Sequence, residues 1–227
     1  MKITLHENGW TGILEDFDFR TATQEDINTI GDFIASNTLI VAKNQTKISV
    51  DDEIRICSMF GNLEETKYPE ILPDNLKHLP SMVVPNSNGH IARVTGELDE
   101  HGLPGLFGHV SDLDWHCNKP GVPTRMPLVW LFSVKGSYGS RTSYTNNIAA
   151  YDDLDADTKE RIKDLKMVCG FRHGSYSETH FGTMEHFNEH YTPNLVHTNE
   201  GGQTGLFFPF LQFRNFVGMT EEESLEI

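Results

Sequence analysis

The chain has 227 residues, and its 18 Lys plus Arg against 33 Asp plus Glu give a formal net charge of −15. That acidity argues against a protein that coats phosphate backbones, which needs clustered Lys and Arg, while 37% hydrophobic and 22% charged residues fit a soluble globular fold with a sizeable core. No apolar stretch approaches the ~20 residues of a membrane span, no signal-like apolar segment follows Met1, and three widely spaced cysteines (Cys57, Cys117 and Cys169) without a C-x-x-C favour a reducing, cytoplasmic setting.

The first helix signal is Thr23, a capping hydroxyl with Asp26 three positions on. Ile27, Ile30 and Ile34 follow at helical spacing. Residues 38–41 are apolar and β-branched and are expected to form a strand. Ser49 opens a second helix, with Asp51, Asp52 and Glu53 in the first turn, where the macrodipole favours acids. Ile54, Cys57, Met59 and Phe60 give that helix an apolar face, and Gly61 ends it.

Residues 62–79 read as loop. From residue 80 the texture is strand-like, with expected strands at 81–84, 90–95, 112–118, 128–134 and 143–146. A third helix is expected over 155–166, and further strands at 167–172, 195–197 and 205–210. Thr220 and Glu223 make a capping box for a last helix, which Ile227 cuts short. A truncated chain is therefore expected. The order of elements points to an α+β fold with a β-sandwich or barrel core, taken as one domain over 1–227.

The segment with the most chemistry runs from Asp112 through Asp114, Trp115, His116 and Cys117 to Asn118. On a strand, alternate side chains share a face. Asp114, His116 and Asn118 would then point one way, with Trp115 and Cys117 opposite. An imidazole and a carboxylate two apart can hold one metal ion. With a distant second His they make the facial triad of non-haem Fe(II) oxygenases, which leaves positions open on the metal. A second pattern, His186, Glu189 and His190, fits the inverted zinc-protease spacing H-x-x-E-H. Gly182 and Pro193 argue against the long helix that chemistry requires, so the His-rich stretch 173–190 is read instead as a loop over a pocket.

Further segments fall in a familiar order. They are Asn37-Thr38-Leu39-Ile40-Val41, then Met59-Phe60-Gly61-Asn62-Leu63-Glu64, then Trp115-His116-Cys117-Asn118. Gly139-Ser140-Arg141-Thr142 runs on through Asn146-Asn147-Ile148-Ala149-Ala150-Tyr151, and His197-Thr198-Asn199-Glu200 is followed by Gly205-Leu206-Phe207-Phe208. Gly218-Met219-Thr220 and Glu223-Ser224 close the series. Taken together, the sequence resembles the TauD/TfdA family of Fe(II)- and 2-oxoglutarate-dependent dioxygenases along nearly its whole length.

The resemblance implies a double-stranded β-helix (a cupin-like jelly-roll) with flanking helices. It implies Fe(II) and 2-oxoglutarate as cofactors, with succinate and CO2 released as a small-molecule C–H bond is hydroxylated or otherwise oxidised. His116 would ligate iron. Asn118 stands where the family has Asp, and its neutral amide oxygen is the poorer ligand, so Asp114 is an alternative carboxylate. Thr142 would grip the far carboxylate of 2-oxoglutarate. Arg141, where the family has Asp, is a second partner for that carboxylate. Asp112 and Asp114 would lie near the mouth and suit a cationic or amine-bearing substrate.

The resemblance places the distal His and the 2-oxoglutarate-binding Arg past Ile227. The competing expectation is a jelly-roll binding protein that has lost its metal site. Neither nucleic acid nor membrane is expected as a partner, and a homo-oligomer is compatible with either reading.

Overall fold

Local capping chemistry starts the two long helices among the described residues. In the computed structural model, which describes residues 1–45, 47–64, 83–98, 114–118, 128–133, 141–170, 192–199 and 201–227, the chain divides into two compact units. The first holds residues 1–45, 47–64, 83–98, 130–133 and 141–146; the second holds 114–118, 128–129, 147–170, 192–199 and 201–227.

In the first unit, strand β1 (Ile3–Leu5) pairs antiparallel with β2 (Thr11–Leu14). Asn8 shapes the turn between them: its Oδ1 accepts from the N–H groups of Trp10 and Thr11, and its Nδ2 donates to the Thr11 hydroxyl at 2.9 Å. Strand β3 (Leu39–Ala42) pairs with β2 in parallel, in register Thr11 with Leu39 through Leu14 with Ala42. Parallel neighbours need a crossover, and helix α1 (Gln24–Asn37) supplies it. Gly12 marks how closely helix and sheet approach, because a Cβ there would meet the Phe33 ring at 2.5 Å.

Helix α1 begins with a closed capping box. The Thr23 hydroxyl accepts from the Asp26 N–H, and the Asp26 carboxylate accepts from the Thr23 N–H. Helix α2 (Val50–Phe60) repeats the device with Ser49 and Asp52. The two helices and the sheet bury Leu14, Phe19, Ala22, Ile27, Ile30 and Ile56 in one cluster. The Arg55 guanidinium donates to the carbonyls of Phe19 and Arg20 and ties α2 to the 3-10 turn at Phe19–Thr21.

The second unit contains α3 (Asn147–Asp152), α4 (Ala156–Ile162), and strands β4 (Met167–Cys169), β5 (Val196–Thr198), β6 (Thr204–Leu206) and β7 (Phe213–Phe216). A short helix, α5 (Glu221–Leu225), follows. Strands β4 and β7 pair antiparallel, with an irregularity between Val168 and Cys169. Strands β5 and β6 form an antiparallel hairpin. Ile162, Met167, Cys169, Leu195, Phe213 and Phe216 are its buried cluster. A Cβ at Gly205 would lie 3.1 Å from the Asn147 carbonyl oxygen, so the start of α3 sits directly on β6.

The expected elements and the observed ones differ in instructive places. The predicted strand at 38–41 is β3, and the predicted helix at 155–166 is α4, which ends at Ile162. The predicted strand at 90–95 is reduced to bridges, one of them pairing Val83 with Ala92. Neither 128–133 nor 143–146 carries strand pairing. The described residues thus hold helices and sheets as expected of an α+β chain, in short strands. Among the described residues, no helix is long and apolar enough to cross a membrane.

The capping carboxylates set a pH limit on these helices. Backbone and hydroxyl hydrogen bonds from Thr23 hold Asp26 below the ordinary carboxylate range, and Ser49 and Thr220 do the same for Asp52 and Glu223. A carboxyl whose folded value is depressed contributes stability above its unfolded value and loses it as pH falls. The far-UV circular dichroism of the protein is therefore expected to hold steady from neutrality to about pH 4 and to decline below it. A signal that instead declined between neutrality and that point would exclude the caps as the cause.

Candidate metal centre

Residues 114–118 form a bent segment rather than a strand, with bends at Trp115 and Asn118. The reason lies in where its carbonyls go. The Trp115 carbonyl accepts from the Leu211 N–H at 2.8 Å, and the Cys117 carbonyl accepts from Gln212 Nε2 at 2.9 Å. A 3-10 turn (Phe210–Gln212), not a neighbouring strand, satisfies these groups. Strict alternation of faces is lost: Cys117 is partly buried, whereas Trp115 is 52% exposed. Asp114, His116 and Asn118 all reach the surface.

The imidazole of His116 is oriented by its own segment. Its Nδ1 lies 2.9 Å from the Asp114 carbonyl oxygen. A carbonyl only accepts, so Nδ1 carries the hydrogen, and in the neutral ring the lone pair sits on Nε2. Metal-binding histidines are commonly set this way, with the non-ligating N–H held by a carbonyl or carboxylate.

The neighbouring thiols are unsuited to join as ligands. Burial pushes the Cys117 thiol up to about 11, and burial together with Cys117 pushes Cys169 up to about 12. Both therefore stay protonated near neutrality, and the thiolate is the ligating form. The donors on the segment are an imidazole nitrogen, the Asn118 amide oxygen and the Asp114 carboxylate. These are donor types that a hard or borderline divalent ion takes. Among the described residues, no group of three His, Cys, Asp or Glu side chains converges to hold a metal.

Arg141 and Thr142 are exposed, in irregular backbone described with the first unit. Asp112, and the His186, Glu189 and His190 pattern, lie outside the described residues. One contributor escaped the sequence reading, which ends a strand at residue 210. Gln212 is a buried amide between Leu211 and Phe213, and a polar residue in so apolar a run was the available signal.

Residues 6–227 match the family described as taurine catabolism dioxygenase TauD, TfdA family. The chain belongs to the TauD/TfdA family. Two solved structures illustrate how a TauD/TfdA chain of this kind compares with others of similar fold. One is AAD-2 in complex with Mn(II) and N-oxalylglycine, with 15% identity, 99% of this chain and 75% of that chain covered, and a TM-score of 0.59. The other is a taurine dioxygenase from Burkholderia xenovorans, with 13% identity, 99% and 69% covered, and a TM-score of 0.61. Compared with curated protein sequences, this TauD/TfdA chain matches none.

Proposed function

We propose that this chain is a dioxygenase that uses Fe(II) and 2-oxoglutarate to hydroxylate or otherwise oxidise a C–H bond of a small molecule, releasing succinate and CO2. The observation that carries the reading is the His116 ring, its Nδ1 held by the Asp114 carbonyl, in a chain of TauD/TfdA membership. The similar structure with Mn(II) and N-oxalylglycine supports a paired metal and oxo-acid site. A jelly-roll core belongs to the same proposal.

In this reading His116 Nε2 holds the iron. Asn118 offers its amide oxygen, and Asp114 is the alternative source of a carboxylate. Thr142 donates its hydroxyl to the far carboxylate of 2-oxoglutarate, with Arg141 as a cationic partner. Asp112 and Asp114 place negative charge where an amine-bearing substrate would be drawn in. Dioxygen is the oxidant, and the iron and keto acid, when bound, would supply the electrons that activate it. The protein's own groups hold them and the substrate in register and keep water away.

Oxygen-dependent succinate formation by the full-length gene product, supplied with Fe(II) and 2-oxoglutarate, tests the proposal. No succinate would favour a binding protein that has lost its metal. Position 118 gives a sharper result. Asn118→Asp restores a negative ligand, and Mn(II) affinity, read by an electron paramagnetic resonance titration, is expected to tighten at least about tenfold. Unchanged affinity would mean that residue 118 does not face the ion.

A further inference from the structure

Gln212 is a buried polar side chain whose presence the packing of the second unit does not require. It is 9% exposed, with Leu211 and Phe213 on either side. It ties three segments together. Its N–H donates to the Pro209 carbonyl at 2.8 Å, its backbone carbonyl accepts from the Gly170 N–H at 2.6 Å, and its Nε2 donates to the Cys117 carbonyl at 2.9 Å. Its own side-chain oxygen, Oε1, is buried and has no hydrogen-bond partner among the described residues. The amide cannot be turned over, because Oε1 would then face the Cys117 carbonyl, acceptor against acceptor.

A buried acceptor without a donor destabilises the fold, and an aliphatic side chain of similar size would avoid it. What only the amide provides is the hydrogen bond to the Cys117 carbonyl. That carbonyl belongs to the peptide joining Cys117 to Asn118. Together with the Leu211 bond to the Trp115 carbonyl, it fixes the backbone on both sides of His116. We propose that Gln212 is a positioning residue for the His116 and Asn118 donor pair, holding the peptide between them at the expense of its own unpaired oxygen. It touches neither metal nor substrate. The inference rests on the metal reading above and extends it to a residue 95 positions away.

The test uses the full-length gene product as wild type, Gln212→Met, Gln212→Leu and His116→Ala. Three quantities are measured: Mn(II) affinity, thermal unfolding, and the rate at which iodoacetamide labels Cys117, read by peptide mass. Both Gln212 variants are expected to bind Mn(II) about 10–100-fold more weakly, the range for losing a group that orients a ligand. Their Tm is expected to move by no more than about 3 °C, because removing the orphaned oxygen offsets the lost bond. Cys117 should label several-fold faster while Cys57 is unaffected.

A large loss of Tm with unchanged Mn(II) affinity and Cys117 labelling would overturn the proposal, as would failure of both variants to fold. If the wild type binds Mn(II) no better than His116→Ala, the metal reading fails. The labelling result then decides the positioning claim alone, faster labelling supporting it and an unchanged rate overturning it.

Discussion

Alanine at position 116 is expected to abolish divalent-metal binding and, with it, oxygen-dependent succinate formation. The loss should exceed the roughly 10–100-fold that follows removal of a merely orienting group, because the imidazole is itself the donor. Folding should survive. His116 is exposed, and the carbonyls of Trp115 and Cys117 keep their bonds to the Leu211 N–H and the Gln212 side-chain Nε2 whatever side chain stands between them. The checks are an Mn(II) titration and a succinate assay on the same preparation, with a Tm unchanged from wild type. Retained metal affinity at unchanged Tm would remove His116 from the site and the dioxygenase reading with it.

Phe19→Ala is expected to have the largest effect on stability, about 3–5 kcal/mol, lowering Tm by roughly 10 °C. Phe19 is 2% exposed. Its ring meets Phe17 edge-on at 5.1 Å and Trp130 at 4.7 Å between centroids. It is also the residue whose backbone carbonyl Arg55 grips from α2. Truncation leaves a cavity under α1 and α2 and removes the edge-on contact to the Trp130 indole. Denaturant unfolding followed by tryptophan fluorescence measures the loss. A change under about 1 kcal/mol would mean that the cluster collapses to fill the space.

The helices were the most legible part of the fold. Thr23 with Asp26, Ser49 with Asp52 and Thr220 with Glu223 are complete within four residues, so a linear reading finds them. The strands were less so, because their definition is non-local. Ile3–Leu5 and Thr11–Leu14 are short, the second carries Gly12, and neither was predicted. They become strands because β3 pairs with β2 once α1 has crossed over.

Of the candidate site, the sequence made legible the donor residue types and not the backbone that carries them. Asp114, His116 and Asn118 were singled out from alternation, yet the segment is not a strand, since its carbonyls are taken by a turn far along the chain. That same distance hid Gln212, whose role depends on a partner that no local pattern names.

The bond from Gln212 to the Cys117 carbonyl spans 95 positions, and this orders events on the ribosome. The β2–α1–β3 crossover lies between Thr11 and Ala42 and can start to form before the later segments are made. The His116 segment must wait until residue 212 has been made, so a nascent chain carries its prospective metal ligands unanchored while the 95 positions between Cys117 and Gln212 are added. Closing so long a loop adds only slowly to the entropy opposing assembly, about 0.6 kcal/mol per doubling. The delay is thus one of timing more than of energy.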